Sequence, residues 1–143
     1  MVIADEIPFS ADASVRQEVR DECQLPGKLS QFIKEYASNY SSHLYSDSTK
    51  ASKGAQILIV EIYDAMGGGG GAWSGGKSVS IRGTLEQDGQ IIGSFKGRRF
   101  SGGGVFAGYK GTCSIMGRCV KALGRDVAEW LRHPSQNAVL GDM

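Results

Sequence analysis

The sequence is poor in the residue types that build catalytic and metal sites. It has two histidines and three cysteines among 143 residues, and neither His43 nor His133 stands at ligand spacing from a cysteine, an acidic residue or the other histidine. No serine lies in the Gly-x-Ser-x-Gly turn that exposes the nucleophile of many hydrolases. We therefore expect no catalytic residue, no metal site and no cofactor, and the sequence does not indicate an enzyme.

The sequence also lacks a long hydrophobic run. No stretch approaches the roughly 18 apolar residues that a transmembrane helix needs, so we expect no transmembrane segment. Residues 1–9 contain neither the basic region nor the apolar region of a secretory signal. Such a sequence fits a cytoplasmic protein, and it fits equally well an exported protein from which the signal has been removed.

A strong charge of one sign is likewise absent, because 16 basic and 15 acidic residues leave a net charge of +1. The charges are nevertheless segregated: residues 1–64 hold six basic and ten acidic residues, whereas residues 77–132 hold ten basic and four acidic ones. Either the two halves neutralise each other in the fold, or the second half forms a basic surface. On the second interpretation the ligand-binding candidates are Lys96, Arg98, Arg99 and Lys110, with Arg118, Lys121 and Arg125 behind them.

Glycine is in clear excess. The 21 glycines amount to about twice the usual share of roughly 7%, and two runs, at 67–71 and 102–104, predict glycine-rich loops. The first run is interpreted either as a mobile connection between strands or as a loop that exposes Trp73 for stacking on a sugar or another ring. Trp73 is therefore a further ligand-binding candidate.

Residues 71–78 (GAWSGGKS) match the pattern of a phosphate-binding loop. Such a loop requires a helix directly after its lysine, because the helix N-terminus holds the phosphate. Here the next residues alternate apolar and polar side chains from Val79 to Leu85, which predicts a strand. We therefore expect no nucleotide at this loop.

The remaining β patterns predict a hairpin beside a hydrophobic strand. Residues 56–63 form the most apolar β run, typical of a central strand. Residues 77–86 and 90–100 flank Asp88-Gly89, which is typical of a type I′ turn. Residues 2–9 contain Pro8 and predict an edge strand, and a weak strand is expected around Leu44.

Helical periodicity appears in three places. It begins at Ser14, resumes after the interruption at Pro26-Gly27, and is strongest in the last helix, which Pro134 ends. The apolar stripe of that helix comprises Met116, Val120, Leu123, Val127, Trp130 and Leu131. The sequence thus predicts an α+β fold in the order β-α-(β)-β-β-β-α, with helices on one face of a mostly antiparallel sheet of four to five strands. We expect one domain over residues 1–134 and a flexible C-terminal tail over 135–143.

The helical pattern also orients the cysteines. Cys23 lies on the apolar face of the first helix, and Cys113 is in line with Met116 and Val120, so both point into the same core. Cys119 lies on another side of the last helix than Cys113. In an oxidising compartment we expect a disulfide between Cys23 and Cys113 with Cys119 as a buried thiol, and in a reducing one three core thiols.

Two parts of the chain resemble a known group of proteins. Residues 22–29 (ECQLPGKL) with 32–33, and residues 111–118 (GTCSIMGR) with 122–131 (ALGRDVAEWL), are similar to small uncharacterised proteobacterial cell-envelope proteins, many of which carry a signal or lipoprotein signal. The resemblance covers about residues 12–134. It implies a periplasmic or exported location and an α+β domain, and it implies no mechanism.

These observations lead to three functional hypotheses. The first is a non-enzymatic accessory or binding module of the bacterial envelope, whose partner is an envelope protein, a glycan or an anionic lipid. The second is a binder of an anionic polymer or lipid surface through the basic residues of the C-terminal half, with nucleic acid disfavoured as a partner. The third is an enzyme of an unrecognised type.

Overall fold

The computed structural model describes residues 1–39, 54–66, 77–101 and 112–143. Its elements follow the β and helical periodicities of the sequence in most places. The strands are β1 (Val2–Ile3), β2 (Phe9–Val15), β3 (Ile57–Met66), β4 (Lys77–Gln87), β5 (Gln90–Ser101) and β6 (Ala138–Gly141). The helices are α1 (Gln17–Glu22), α2 (Leu25–Ala37) and α3 (Thr112–Arg132).

The strands form one sheet in the order β1-β3-β4-β5-β6, and β2 pairs with the same edge of β3 as β1 does. The α+β class is confirmed, but the expectation of a mostly antiparallel sheet of four to five strands is wrong, because the described residues form a mixed sheet of six strands. Only the β3–β4 and β4–β5 pairs are antiparallel, whereas β1 and β2 run parallel to β3, and β6 runs parallel to β5. A parallel pair joins segments far apart in sequence, so the pattern within one strand does not reveal it.

The hairpin and the central strand agree with the sequence pattern. Asp88 and Gly89 have φ values of 53° and 78°, the positive values that both centres of a type I′ turn require. The strand β3 lies between β4 on one side and β1 with β2 on the other. Alternate residues of these strands turn towards the helices, which places the apolar positions of β3 and β4 in the core.

The core lies between the sheet and the helices α2 and α3. We call the face of the sheet that turns to these helices the inner face and the opposite one the outer face. The apolar stripe expected for the last helix is confirmed, since its members lie in or against the core. The largest fully buried side chains include Leu29 and Ile33 of α2, Ile62, Ile81 and Leu85 of the sheet, and Met116 and Leu123 of α3.

The start of the helical region differs from the prediction. Ser14 and Val15 end β2, where they pair with Asp64 and Ala65 of β3, and the first helix begins only at Gln17. Pairing with the edge of β3 stabilises the extended conformation of these residues more than their helical spacing favours a helix. Tertiary contacts commonly override local propensity in this way. Gln24, with φ 53°, separates α1 from α2, and Pro26 then falls in the first turn of α2, where proline is tolerated.

Residues 135–143, expected as a flexible tail, contain the strand β6. Ala138–Gly141 pairs in register with Phe95–Arg98 of β5. Ser94 anchors the approach, because its N–H donates to Ser135 O (3.0 Å) and its Oγ accepts the Asn137 N–H (2.8 Å). The strand ends at Gly141, whose φ of 70° and close approach to the Arg98 carbonyl suit glycine alone. Its apolar side chains Ala138 and Leu140 pack against the core.

Some expectations fall on residues outside the described ranges. These are the weak strand around Leu44, both glycine runs, and the candidate residues Trp73 and Lys110. They stay predictions.

Candidate functional site

A row of side chains crosses the outer face from β3 to β6. Glu61 pairs with Arg82, Arg82 with Lys96, and Lys96 with Val139. Because directly opposed residues of neighbouring strands project from the same face of a sheet, all four lie side by side. A second row beside it contains Ile59, Thr84 and Ser94.

These two rows form the floor of a groove of about 560 Å³, within the range of roughly 300–1,000 Å³ usual for small-molecule sites. The residues from Asn137 to Val139, together with Met143, bound it on the side of β6. Three of its apolar side chains are well exposed: Ile59 at 49%, Val139 at 63% and Met143 at 48%. The groove thus combines a polar centre with exposed apolar flanks.

The charge of Arg82 is neutralised within the protein. Its Nε donates to Glu61 Oε1 at 2.5 Å, and its Nη2 donates to Asp12 Oδ1 at 3.1 Å. The guanidinium carbon also lies 5.2 Å from the centre of the Tyr63 ring, a cation–π distance. The hydrogen bond that Arg82 donates to Glu61 raises the pKa of Arg82, and desolvation works against this rise. Arg82 is consequently a fixed part of the groove floor.

Lys96 differs from Arg82 although the two are direct cross-strand neighbours. Its side chain is exposed, and it forms no hydrogen bond or ion pair with any residue in the described part of the chain. Like charges directly opposite each other in a sheet repel, and Glu61 and Asp12 already engage Arg82. Lys96 is therefore the uncompensated positive charge of the groove.

Arg98 lies on the same face as Lys96, two residues further along β5. Its Nε donates to Ser80 Oγ at 2.8 Å, and Ser80 is fully buried. Asp64 pairs with Ser80 in the sheet register; burial raises the pKa of this carboxyl, and the nearby positive charge of Arg98 works against that rise. Arg98 is thus held by the sheet, with one polar contact to a buried side chain.

Arg99 turns to the inner face and reaches α3. Its Nε and Nη2 donate to the two carboxylate oxygens of Asp126 at 2.8 and 2.7 Å, and its Nη1 lies 3.5 Å from Asp142 Oδ1. This bidentate pair raises the pKa of Arg99. Of the candidates named from the sequence, Lys96 and Arg98 thus come together, while Arg99 bridges β5, α3 and the C-terminal strand.

The basic residues of α3 lie on the other side of the molecule. Arg118, Lys121 and Arg125 are exposed on the solvent face of α3, and α3 packs on the inner face. They therefore do not extend the surface around Lys96, which sequence reasoning had grouped with them.

Glu61 and Val139 belong to the groove, but nothing in the local sequence identifies either of them as a site residue. Glu61 interrupts an apolar strand, and Val139 falls in the expected tail. Only the strand register brings them beside Lys96.

The cysteines are placed as expected for an oxidised chain. Cys23 and Cys113 form a disulfide with a Cα–Cα distance of 4.8 Å, and Cys119 is a buried free thiol. Burial raises the pKa of Cys119, which keeps it in the unreactive thiol form. Within the described ranges, no group of three or more histidine, cysteine or acidic side chains is placed to share a metal ion.

No helix in the described part of the chain has the length and apolar content that spanning a membrane requires. No protein-family model matches the chain, and neither a curated protein nor a solved structure matches it.

Proposed function

We propose that the protein is an exported, non-enzymatic binding module whose groove takes a small amphiphile with an anionic head, such as a carboxylate, and an apolar body. The observation that carries the proposal is Lys96. It is the exposed, uncompensated ammonium at the centre of a groove in which Arg82 is already engaged by Glu61 and Asp12. An anionic head placed there gains a charge-assisted hydrogen bond and relieves the repulsion between Lys96 and Arg82.

The flanks of the groove support an apolar ligand body. Ile59 and Val139 lie on either side of the charged row, and Met143 adds a flexible apolar side chain at one edge. Each is about half exposed or more. Covering such side chains contributes roughly 25 cal/mol per Å² of apolar surface removed from water.

The disulfide supports export. A bond between Cys23 and Cys113 persists in an oxidising compartment and is rare in the cytosol. The resemblance to cell-envelope proteins points the same way. The disulfide and this resemblance both support a periplasmic location.

A titration with octanoate and octanol tests the ligand class. The two probes share an eight-carbon body and differ in the anionic head, so octanoate should bind more tightly and shift the amide resonances of β3, β5 and β6 in two-dimensional NMR spectra. Lys96→Met keeps an unbranched side chain that is one atom shorter, and it removes the charge. It should weaken octanoate binding about 10- to 100-fold and leave octanol binding nearly unchanged.

Lys121→Met is the matched control, because it removes an ammonium from the exposed face of α3. Its affinity for octanoate should equal that of the wild type. Equal binding of octanoate and octanol, an equal loss in both variants, or no shifts in the groove with either probe would each contradict the proposal.

The second hypothesis is that the partner is an anionic polymer or a lipid surface. The basic residues that support it lie on the opposite side of the molecule from the groove. There α3 presents its own basic residues to solvent, away from Lys96.

A further inference from the structure

Three basic side chains form a stripe along α3. Arg118, Lys121 and Arg125 stand at spacings of three and four residues, which places them within an arc of about 60° on a helix of 3.6 residues per turn. All three are exposed. We call them the basic stripe. The opposite side of α3 carries Val120, Leu123 and Val127, which are fully buried in the core, so the stripe is held in a fixed direction.

The members of the basic stripe have acidic residues on neighbouring helices but no salt bridge to any described residue. The acidic residue next to Arg125 is Asp126, and its carboxylate turns inward to Arg99, with only 10% of its side chain exposed. Exposed acids also lie on the helical side of the molecule, and α1, which carries three of them, contacts α3. None forms an ion pair with the stripe in the described part of the chain. They are Glu18, Asp21 and Glu22 of α1, Glu35 of α2 and Glu129 of α3.

We infer that the basic stripe docks the protein on an anionic lipid surface. A row of cations on one exposed helix face fits the negative plane of anionic headgroups, and each such charge strengthens adsorption roughly fivefold. The disulfide favours lipid over nucleic acid, because such bonds persist in oxidising compartments and are rare in the cytosol and nucleus; this step rests on the proposed export. The stripe also has no aromatic side chain of the kind that stacks on bases.

The inference is independent of the groove. The stripe lies on the helical side and Lys96 on the outer face, so a docked molecule leaves the groove open to the opposite side. Failure of octanoate binding leaves lipid docking standing, and failure of lipid docking leaves the groove proposal standing.

Co-sedimentation with large unilamellar vesicles tests the inference. At low ionic strength the wild type should bind vesicles of equal parts phosphatidylglycerol and phosphatidylcholine, and it should not bind vesicles of phosphatidylcholine alone. Binding should fall as salt is added, because exposed charges are screened over about 10 Å at 0.1 M salt. The triple variant Arg118→Gln, Lys121→Gln, Arg125→Gln should bind roughly 100-fold more weakly. All three positions are exposed, so the circular dichroism spectrum should not change.

Two single variants serve as a matched pair. Lys121→Gln and Arg16→Gln lower the net charge by the same amount, and Arg16 is exposed and lies outside the stripe. Only Lys121→Gln should therefore weaken vesicle binding, by roughly fivefold. An equal loss in both variants would mean that net charge rather than the stripe governs adsorption. Absence of binding to the anionic vesicles, or tighter binding to a short DNA duplex than to the vesicles, would overturn the assignment.

Discussion

Arg98 and Arg99 are adjacent in the chain and serve different parts of the molecule. Neighbouring residues of a strand project from opposite faces of the sheet. Arg98 projects from the outer face and donates a hydrogen bond to Ser80. Arg99 projects from the inner face and donates two hydrogen bonds to Asp126. The carboxylate of Asp126 is 10% exposed, so its charge depends on Arg99 for compensation. Whether a basic residue of a strand is available to a ligand therefore depends on the face of the sheet from which its side chain projects.

Removing Arg99 should therefore destabilise the fold. Arg99→Ala leaves the Asp126 carboxylate without its bidentate donor, and we expect a loss of about 2–3 kcal/mol in the free energy of unfolding. Urea denaturation followed by circular dichroism measures it. Arg125→Ala, at an exposed position of α3, should change the same quantity by no more than about 0.5 kcal/mol. Equal effects of the two substitutions would refute the structural role of Arg99.

At the scale of elements, the contact between α2 and α3 depends on Gly124. A Cβ atom at this position would lie 2.6 Å from Phe32 Cβ and 3.0 Å from the Phe32 backbone carbon. The end of a flexible side chain can move away from an added methyl group, whereas the backbone of a packed helix cannot. The close approach of the two helices thus requires glycine here, although glycine lowers helix propensity.

Alanine substitutions at two glycines of α3 should act in opposite directions. Gly124→Ala should lower stability by about 1–3 kcal/mol, because it separates α2 from α3. At Gly117 an added Cβ meets nothing within 4 Å, so Gly117→Ala should raise stability by about 0.5–1 kcal/mol through helix propensity. Thermal unfolding of the two variants compares them directly. A gain in both would show that the helices do not approach each other this closely.

At the scale of the whole molecule, the disulfide joins the start of α2 to the start of α3. It links residues 90 positions apart in the chain, so it restricts the unfolded chain strongly. For a loop of this length the chain-entropy model gives a stabilisation of about 4–5 kcal/mol, and removal of native disulfides typically costs about 2–5 kcal/mol. The disulfide therefore contributes a large part of the stability of the fold.

The double variant Cys23→Ala, Cys113→Ala should unfold with a free energy about 2–5 kcal/mol below that of the oxidised protein. Reduction of the wild type should cause a comparable loss, whereas Cys119→Ala should leave sensitivity to reductant intact. Peptide mapping under non-reducing conditions should recover Cys23 linked to Cys113 with Cys119 free. Recovery of a different pairing would contradict the assignment.

The sequence predicted the candidate site only in part, and the hairpin shows why. Gln87 pairs with Gln90, and an unbroken register would place Arg82 opposite Phe95. An irregularity between Leu85 and Glu86 shifts the pairing by one residue and sets Arg82 opposite Lys96. A shift of one residue moves the side chains of a strand to the opposite face of the sheet. Nothing in the local sequence indicates such a shift. The sequence named Lys96 as a candidate, but it did not indicate that Glu61 and Val139 lie in the same row of side chains.

By itself, the sequence determined the features that depend on near neighbours. These are the type I′ turn at Asp88-Gly89, the apolar stripe of α3, the α+β class, and the two cysteines that face one core. Only the tertiary structure decided the parallel pairings of β1, β2 and β6, the ordering of the C-terminal segment, and the division of the basic residues between the groove and α3. Local periodicity sets which side of an element is apolar, whereas register and strand direction follow from packing between segments distant in the chain.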